Sequence, residues 1–504
     1  MEVAPTESGE SYNALGVRTL SATQFHWLFI ISTVLSVVPF WTVKYPLICD
    51  YPNHLARWFV LHHARDPLYH FSAFYVPAWG PLPYVSVDLL AVGLQYFLPI
   101  DVAGRCILSL CTVAVAFAGL FFLRKACPEN ASLALFGILV AFNPMFLLGS
   151  ISYEISIAFC LMTVSFWVSY CSSPRISAAL SVLVGLLLTY FSHLIGILLA
   201  GVVMGVYALF SRSRWKTMGV LAVLSAPTLA IMGYNLRQGG AGSGHFGFAD
   251  LTAWDKVRNL VFPVRLFGAK GIDAIVLGAL AIVVVVLFRV QRRIRIQSVW
   301  LAVCGALLLA YLIAPLTWGN GGYADCRVMP FVFFFMLPVF RFIRIPSYVL
   351  LMLAALVVFR VASVERLFLS QQPKLQQLTA AFEAIPRDAK VLQMGIGDIR
   401  RGGLLEVRGP TFHLFYGVIR RGFLAPTLYH LPGVQPIRLA EGVYCLNVLC
   451  LPEGTSDAEW TQIAISYDYL WVQKDWLVPA FPSRIADLVF SNEYVAIYRI
   501  KRQP

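Results

Sequence analysis

The chain has 504 residues, 59% of them hydrophobic and only 13% charged, about half the charged share of an average soluble domain. With a mean hydropathy of +0.72, this composition excludes a soluble enzyme. The formal charge of +13 does not point to nucleic acid, because the basic residues form short clusters between apolar runs rather than one stripe with interleaved aromatics.

A polar, acidic tail (1–23) precedes the first apolar run, which ends in Trp-Thr-Val-Lys with no small-residue cleavage site. This run is expected to be a retained anchor rather than a removed signal peptide. Apolar runs then predict eleven spans, at 24–43, 101–123, 131–148, 151–171, 176–191, 193–211, 216–234, 272–289, 297–316, 326–341 and 345–362. Each is judged against a hydrocarbon core of about 30 Å and a rise of about 1.5 Å per residue. The expected fold class is an α-helical polytopic membrane protein with a C-terminal extracytoplasmic α/β domain.

The short turns carrying Arg124, Lys125, Arg175, Arg212, Arg214, Lys216, Arg289, Arg292, Arg293, Arg295, Arg341 and Arg344 fall on one side of these spans. The opposite short turns hold only Arg105 and Arg327, so the first side is expected to face the cytoplasm, with the N-terminus inside and the C-terminus outside. This requires that 84-YVSVDLLAVGLQYFLP-99 not cross the membrane. Bounded by Pro83 and Pro99 and containing Asp88 and Gln95, it is expected to be an interfacial or half-inserted helix.

The outer side then carries a first loop (44–100), a second loop (235–271) and a tail (363–504). Composition turns polar near Glu365, which predicts a domain boundary there. In the tail, a helix is expected over 374–385, a turn at 386–389, and strands at 390–394, 468–473 and 494–500. The glycine-rich 239-GGAGSGHFG-247 lacks the strand-to-helix setting of a phosphate-binding turn and is expected to be a loop over a site. Ten cysteines show no CxxC or Cys/His ligand spacing. Cys445 and Cys450 could pair in an oxidising compartment, although on a strand their spacing points them to opposite faces.

Ionisable groups are costly in hydrocarbon, and here they gather at the outer ends of the spans. They include Asp50, His54 and Arg57, Asp88 and Arg105, Glu154, His193, and Asp325 with Arg327. In 50-DYPNHLARWFVLHH-63, Pro52 suits a first helical position, so Asp50 lies just ahead of a helix with His54 and Arg57 on one face. Such a carboxylate can act as a general base or hold a divalent cation, and such an arginine can bind a phosphate oxygen. The plainer readings are a charge that offsets a helix dipole at Asp50, an Asp325–Arg327 pair at a helix start, and a hydrogen-bonding turn residue at His193.

The first span, the acid opening a long outer loop, 81-PLPYVSVDLLAVGLQYFLP-99, Arg105 opening the next span, and 327-RVMPFVFFFMLP-338 together resemble the GT-C superfamily of membrane glycosyltransferases. That superfamily includes the protein mannosyltransferases and the aminoarabinose transferases. The resemblance implies an inverting, single-displacement sugar transfer at the outer membrane face, from a polyprenyl-phosphate-linked donor to a lipid, glycan or protein acceptor. It implies a place in the bacterial inner membrane with the C-terminal domain periplasmic. Asp50 would be the base or hold a cation such as Mg or Mn, and Arg327, with Arg105, would neutralise the departing phosphate. Many members carry a second acid directly after the first, whereas Asp50 is followed by Tyr51 and Pro52, leaving Glu154, Asp88 and His54 as its candidate partners. A secondary transporter or lipid-linked-sugar flippase is the alternative. It would be expected to show repeated halves and charges at mid-span.

Overall fold

The computed structural model of the chain describes residues 18–237, 246–247, 252–266, 270–291, 294–318, 322–394, 396–397, 410, 412–426, 435–443, 457–474, 476–477 and 485–501. Cys445, Cys450 and most of the glycine-rich 239–247 lie outside them.

Every expected span holds a helix. Seven are long and apolar enough to cross a membrane among the described residues. These are α1 (Ala22–Trp41), α4 (Ile100–Ala126), the stretch Pro128–Leu147 that contains α5 (Leu135–Ala141) and α6 (Pro144–Leu147), α7 (Ile151–Ser172), α10 (Arg214–Arg237), α12 (Lys270–Val290) and α15 (Ser347–Ala380). Shorter apolar helices occupy the other four positions: α8 (Ile176–Ser192), α9 (Leu194–Leu209), α13 (Ser298–Ile313) and Cys326–Met336, which contains α14 (Met329–Met336). The last stops short of the expected 326–341, and its 11 residues span only about 16 Å. Between α1 and α4 lie α2 (Tyr51–His62) and α3 (Val85–Leu94). At 10 residues, α3 is too short to cross, at about 15 Å. It leaves Leu89 and Leu90 exposed, with Tyr96 and Phe97 exposed just beyond its end, as an interfacial helix does.

Local chemistry sets the helix ends. A capping box opens α1, where Ser21 Oγ accepts from the Gln24 amide and Gln24 Oε1 accepts from the Ser21 amide. The 27 residues of α4 begin with Asp101 in the first turn and end with Arg124 and Lys125 in the last, each on the favourable side of the helix dipole. At the centre of the bundle α7 packs on α4, α8 and α9, around the buried Trp167.

The tail begins within a helix. The boundary near Glu365 falls inside α15, which runs unbroken for 34 residues with Pro373 inside it, and a 3-10 turn, Ala381–Ala384, closes the expected 374–385 helix. The change to polar residues does not end the helix, because 363-SVERLFLSQQPKLQQLTA-380 is still rich in helix formers. The bundle and the C-terminal domain therefore share one helix.

In that domain the expected strands form as Val391–Met394, Tyr469–Gln473 and Val495–Ile500, joined by an unexpected edge strand, Ala486–Ser491. The order is 486–491, 495–500, 469–473, 391–394, with the last pair parallel and the others antiparallel. The domain also grips the segment between α1 and α4. Tyr75–Pro77 pairs antiparallel with Ile437–Leu439, Tyr75 Oη donates to the Ala425 carbonyl at 2.6 Å, and helix Phe415–Arg421 packs on α2.

His413 sits buried in this junction, with Nε2 2.8 Å from Thr379 Oγ1 and its ring against Tyr45, Phe382 and Tyr416. Burial, and then the Arg420 charge, push its pKa from 6.5 down to about 3. Below pH 6.5 the unfolded chain therefore takes up a proton that the native imidazole refuses. The stability present above 6.5 is lost as pH falls, by about 1.4 kcal/mol per unit for this group. We expect the apparent melting temperature in detergent to drop between pH 7 and pH 5, and the drop to shrink in His413→Gln. An unchanged slope in that variant would remove His413 from the account.

Candidate active site

One end of the bundle is organised around a break in the third apolar stretch. Pro144 lacks the amide that would continue α5, and Asn143 caps α6 instead, its Oδ1 accepting from the Met145 and Phe146 amides at 2.9 and 3.2 Å. The short α6 delivers the turn Leu147–Gly149, onto which the first loop docks. The amides of Cys49 and Asp50 donate to the carbonyls of Leu147 and Leu148 at 3.1 and 3.2 Å. At Gly149 φ is +95°, and an added Cβ would lie 2.5 Å from Asp50 Cβ, so only glycine permits this approach.

Asp50 stands at the N-cap position of α2 with Pro52 just inside, and its side chain makes no capping bond to that helix. His54, one turn on, donates from Nε2 to the Gly149 carbonyl at 2.9 Å and accepts on Nδ1 from Arg57 Nη2 at 2.9 Å. Burial and the Arg57 charge hold its pKa well below 6.5, in keeping with this neutral tautomer.

Arg57 is bound to Asp88, with Nη2 at 2.7 Å and Nε at 2.9 Å from Oδ1, and both side chains are fully buried. Trp58 Nε1 donates to the same oxygen at 2.7 Å. Burial raises the Asp88 pKa and the Arg57 charge opposes that rise. Two candidates offered separately, one for phosphate and one as a partner of Asp50, thus neutralise each other and lock α3 to α2.

Around the first turn of α7 lies a second group. Nδ1 of His193 accepts from the Ile195 amide at 3.1 Å. Its Nε2 lies 3.2 Å from Arg327 Nη1, a contact in which the guanidinium can only donate. Arg327 Nε is buried with no hydrogen-bond partner among the described residues, a donor left for an acceptor oxygen. Tyr153 Oη donates to the Arg327 carbonyl at 2.6 Å, and the guanidinium lies over the Tyr153 ring. Tyr84 packs edge-on against His193 and holds φ at +75°, a strained conformation for a bulky residue. Tyr153 lies in the first turn of α7, four residues after Gly149, so the Asp50 turn and the Arg327 group both meet the start of that helix.

The remaining candidates are placed differently. Glu154 is buried on α7 and accepts from Asn143 Nδ2 at 2.6 Å. Asp325 pairs not with Arg327 but with Lys256, at 2.9 Å. Lys256, on α11 (Ala253–Asn259), also caps α13 through the Tyr311 and Ala314 carbonyls at 3.1 and 3.0 Å. Arg105 binds the Val43 and Lys44 carbonyls at 3.1 and 3.2 Å and stacks on Trp41, so its charge serves the C-terminal end of α1. Sequence reasoning missed Asn143, Tyr84, Tyr153, Lys256 and Arg360. The Asn-Pro pair inside an apolar run and the lone arginine of 350-LLMLAALVVFRVAS-363 were the available signals.

The bundle of long apolar helices, the short α3 and the C-terminal α/β domain make this an integral membrane protein. The chain is similar to the crystal structure of ArnT from Cupriavidus metallidurans bound to undecaprenyl phosphate, with a TM-score of 0.54 and 11% identity, over 95% of this chain and 98% of that chain. At that identity the likeness is one of fold. No protein-family model matches the chain, and neither does any curated protein.

Proposed function

We propose that the protein is a membrane glycosyltransferase that takes a sugar from a polyprenyl-phosphate-linked donor and passes it, with inversion, to a hydroxyl or amine of a lipid, glycan or protein acceptor at the outer face. The observation that carries this is Arg327, held by His193 Nε2 and with its buried Nε left without a hydrogen-bond partner among the described residues, at the start of α7 where the Gly149 turn holds Asp50. That the ArnT structure of similar fold is bound to undecaprenyl phosphate supports the donor class.

In this reading the donor phosphate lies against Arg327, which His193 holds in place. The acceptor heteroatom attacks the anomeric carbon as the bond from that carbon to the phosphate oxygen breaks. The acceptor proton passes to Asp50, and the bonding pair leaves on the phosphate, whose added charge the guanidinium stabilises. Neutral His54 and the Arg57–Asp88 pair orient Asp50 without donating charge to the reaction. The N-terminus lies in the cytoplasm and the domain built on α15 lies in the periplasm.

The test is undecaprenyl phosphate binding to the purified protein. Arg327→Gln is expected to weaken it about 10–100-fold, the worth of a charge-assisted hydrogen bond to phosphate. Unchanged affinity in a folded Arg327→Gln protein would contradict this site.

A further inference from the structure

The break at Asn143 leaves one backbone group to be satisfied from outside. The Phe146 amide, which would close a helical turn onto the Phe142 carbonyl, is taken by Asn143 Oδ1 at 3.2 Å. The Phe142 carbonyl instead accepts from Arg360 Nη2 at 2.8 Å, and the same nitrogen donates to the Arg265 carbonyl at 2.5 Å. Arg360 is 1% exposed, and its Nε and Nη1 have no hydrogen-bond partner among the described residues. A buried guanidinium in a membrane protein is expensive, and here it is spent on two carbonyls of irregular backbone.

Those carbonyls belong to elements that matter to the site. Phe142 begins the break whose far end, Leu147–Gly149, binds the amides of Cys49 and Asp50 and the His54 ring. Arg265 lies in the second outer loop and Arg360 on α15, the helix shared with the outer domain. Asn143 also reaches across to Glu154 at 2.6 Å, tying the break to the first turn of α7. We propose that Arg360 and Asn143 are positioning residues. Together they brace the Asn143 break so that the Gly149 turn holds Asp50 and His54 in register with the Arg327 group. This deepens the transferase reading and rests on it for the catalytic consequence, although the brace itself does not.

The experiment pairs two readouts on the full chain in nanodiscs. In Arg360→Met, hydrogen exchange at the amides of 49–54 is expected to speed up by about tenfold or more while α4 is unchanged, as for a local rather than global loosening. In the transfer assay kcat is expected to fall about 10–100-fold, as for a displaced catalytic group, with the donor KM moving less than about threefold. Arg360→Lys, which keeps a cationic donor for the Phe142 carbonyl, should recover most of both losses. Wild-type exchange at 49–54 in Arg360→Met, or a raised KM with unchanged kcat, would overturn the proposal. If Arg360→Met does not fold, Arg360→Gln decides: faster exchange confined to 49–54 supports the brace, and wild-type exchange there overturns it. A wild type that transfers no sugar yet shows the exchange response sinks the transferase reading and leaves the brace standing.

Discussion

Asp50→Asn is expected to lower sugar transfer by about 10²–10⁴-fold, the range for removing a general base, with insertion, donor binding and melting temperature near those of the wild type. The backbone of Asp50 makes the docking contacts, through its amide to Leu148 and its carbonyl to the His54 amide at 3.0 Å. The side chain makes no capping bond that folding of α2 depends on. An amide in its place keeps shape and loses basicity. Transfer within about tenfold of wild type, well short of the base range, would remove Asp50 from the role of base and move the search to Glu154, whose Oε1 has no partner among the described residues.

The second large effect is on stability. Asp88→Ala should cost about 3–5 kcal/mol, because it strands a fully buried guanidinium. It also removes the acceptor of Trp58 Nε1. The double change Arg57→Met with Asp88→Leu should recover much of that loss, since replacing a whole buried pair by apolar residues of similar volume is often close to neutral. Fluorescence-detected size exclusion after heating ranks the three proteins. The expected order of survival is wild type, double variant, Asp88→Ala. A single variant as heat-resistant as wild type would mean the pair does not lock α3 to α2. Activity should stay low in the double variant, because His54 loses the Arg57 Nη2 donor that sets its tautomer.

These two residues show what could and could not be read from the chain. Hydropathy and the positive turns located a helix for each of the eleven runs, and the prolines at 83 and 99 marked α3 as too short to cross. Both signals are local. Arg57 and Asp88 were recognised one by one, but their pairing joins positions 31 apart, and Lys256–Asp325 joins positions 69 apart. No periodicity encodes such partners. The continuation of α15 past Glu365 was missed because a polarity change was taken for a change of structure. The edge strand Ala486–Ser491 was missed because Asp487 and Ser491 interrupt its apolar pattern. Asn143 is instructive in another way. An Asn-Pro pair inside an apolar run signals a break, yet the value of that break lies in what docks on it, the Asp50 turn, and that is a tertiary fact.

The break, Glu154 and Arg360 also bear on the transporter alternative, because discontinuous helices and buried charges are features of transport sites too. Here they lie towards the end of the bundle that carries the α/β domain, which suits chemistry at one face more than passage through the middle. The most direct test is transfer by the purified protein in nanodiscs, offered a panel of radiolabelled polyprenyl-phosphate sugars with a total lipid and glycan extract as acceptor. Label appearing on an acceptor with one donor, and not with Asp50→Asn, is the predicted result. No transfer from any donor, with no donor raising the melting temperature, would contradict the central claim.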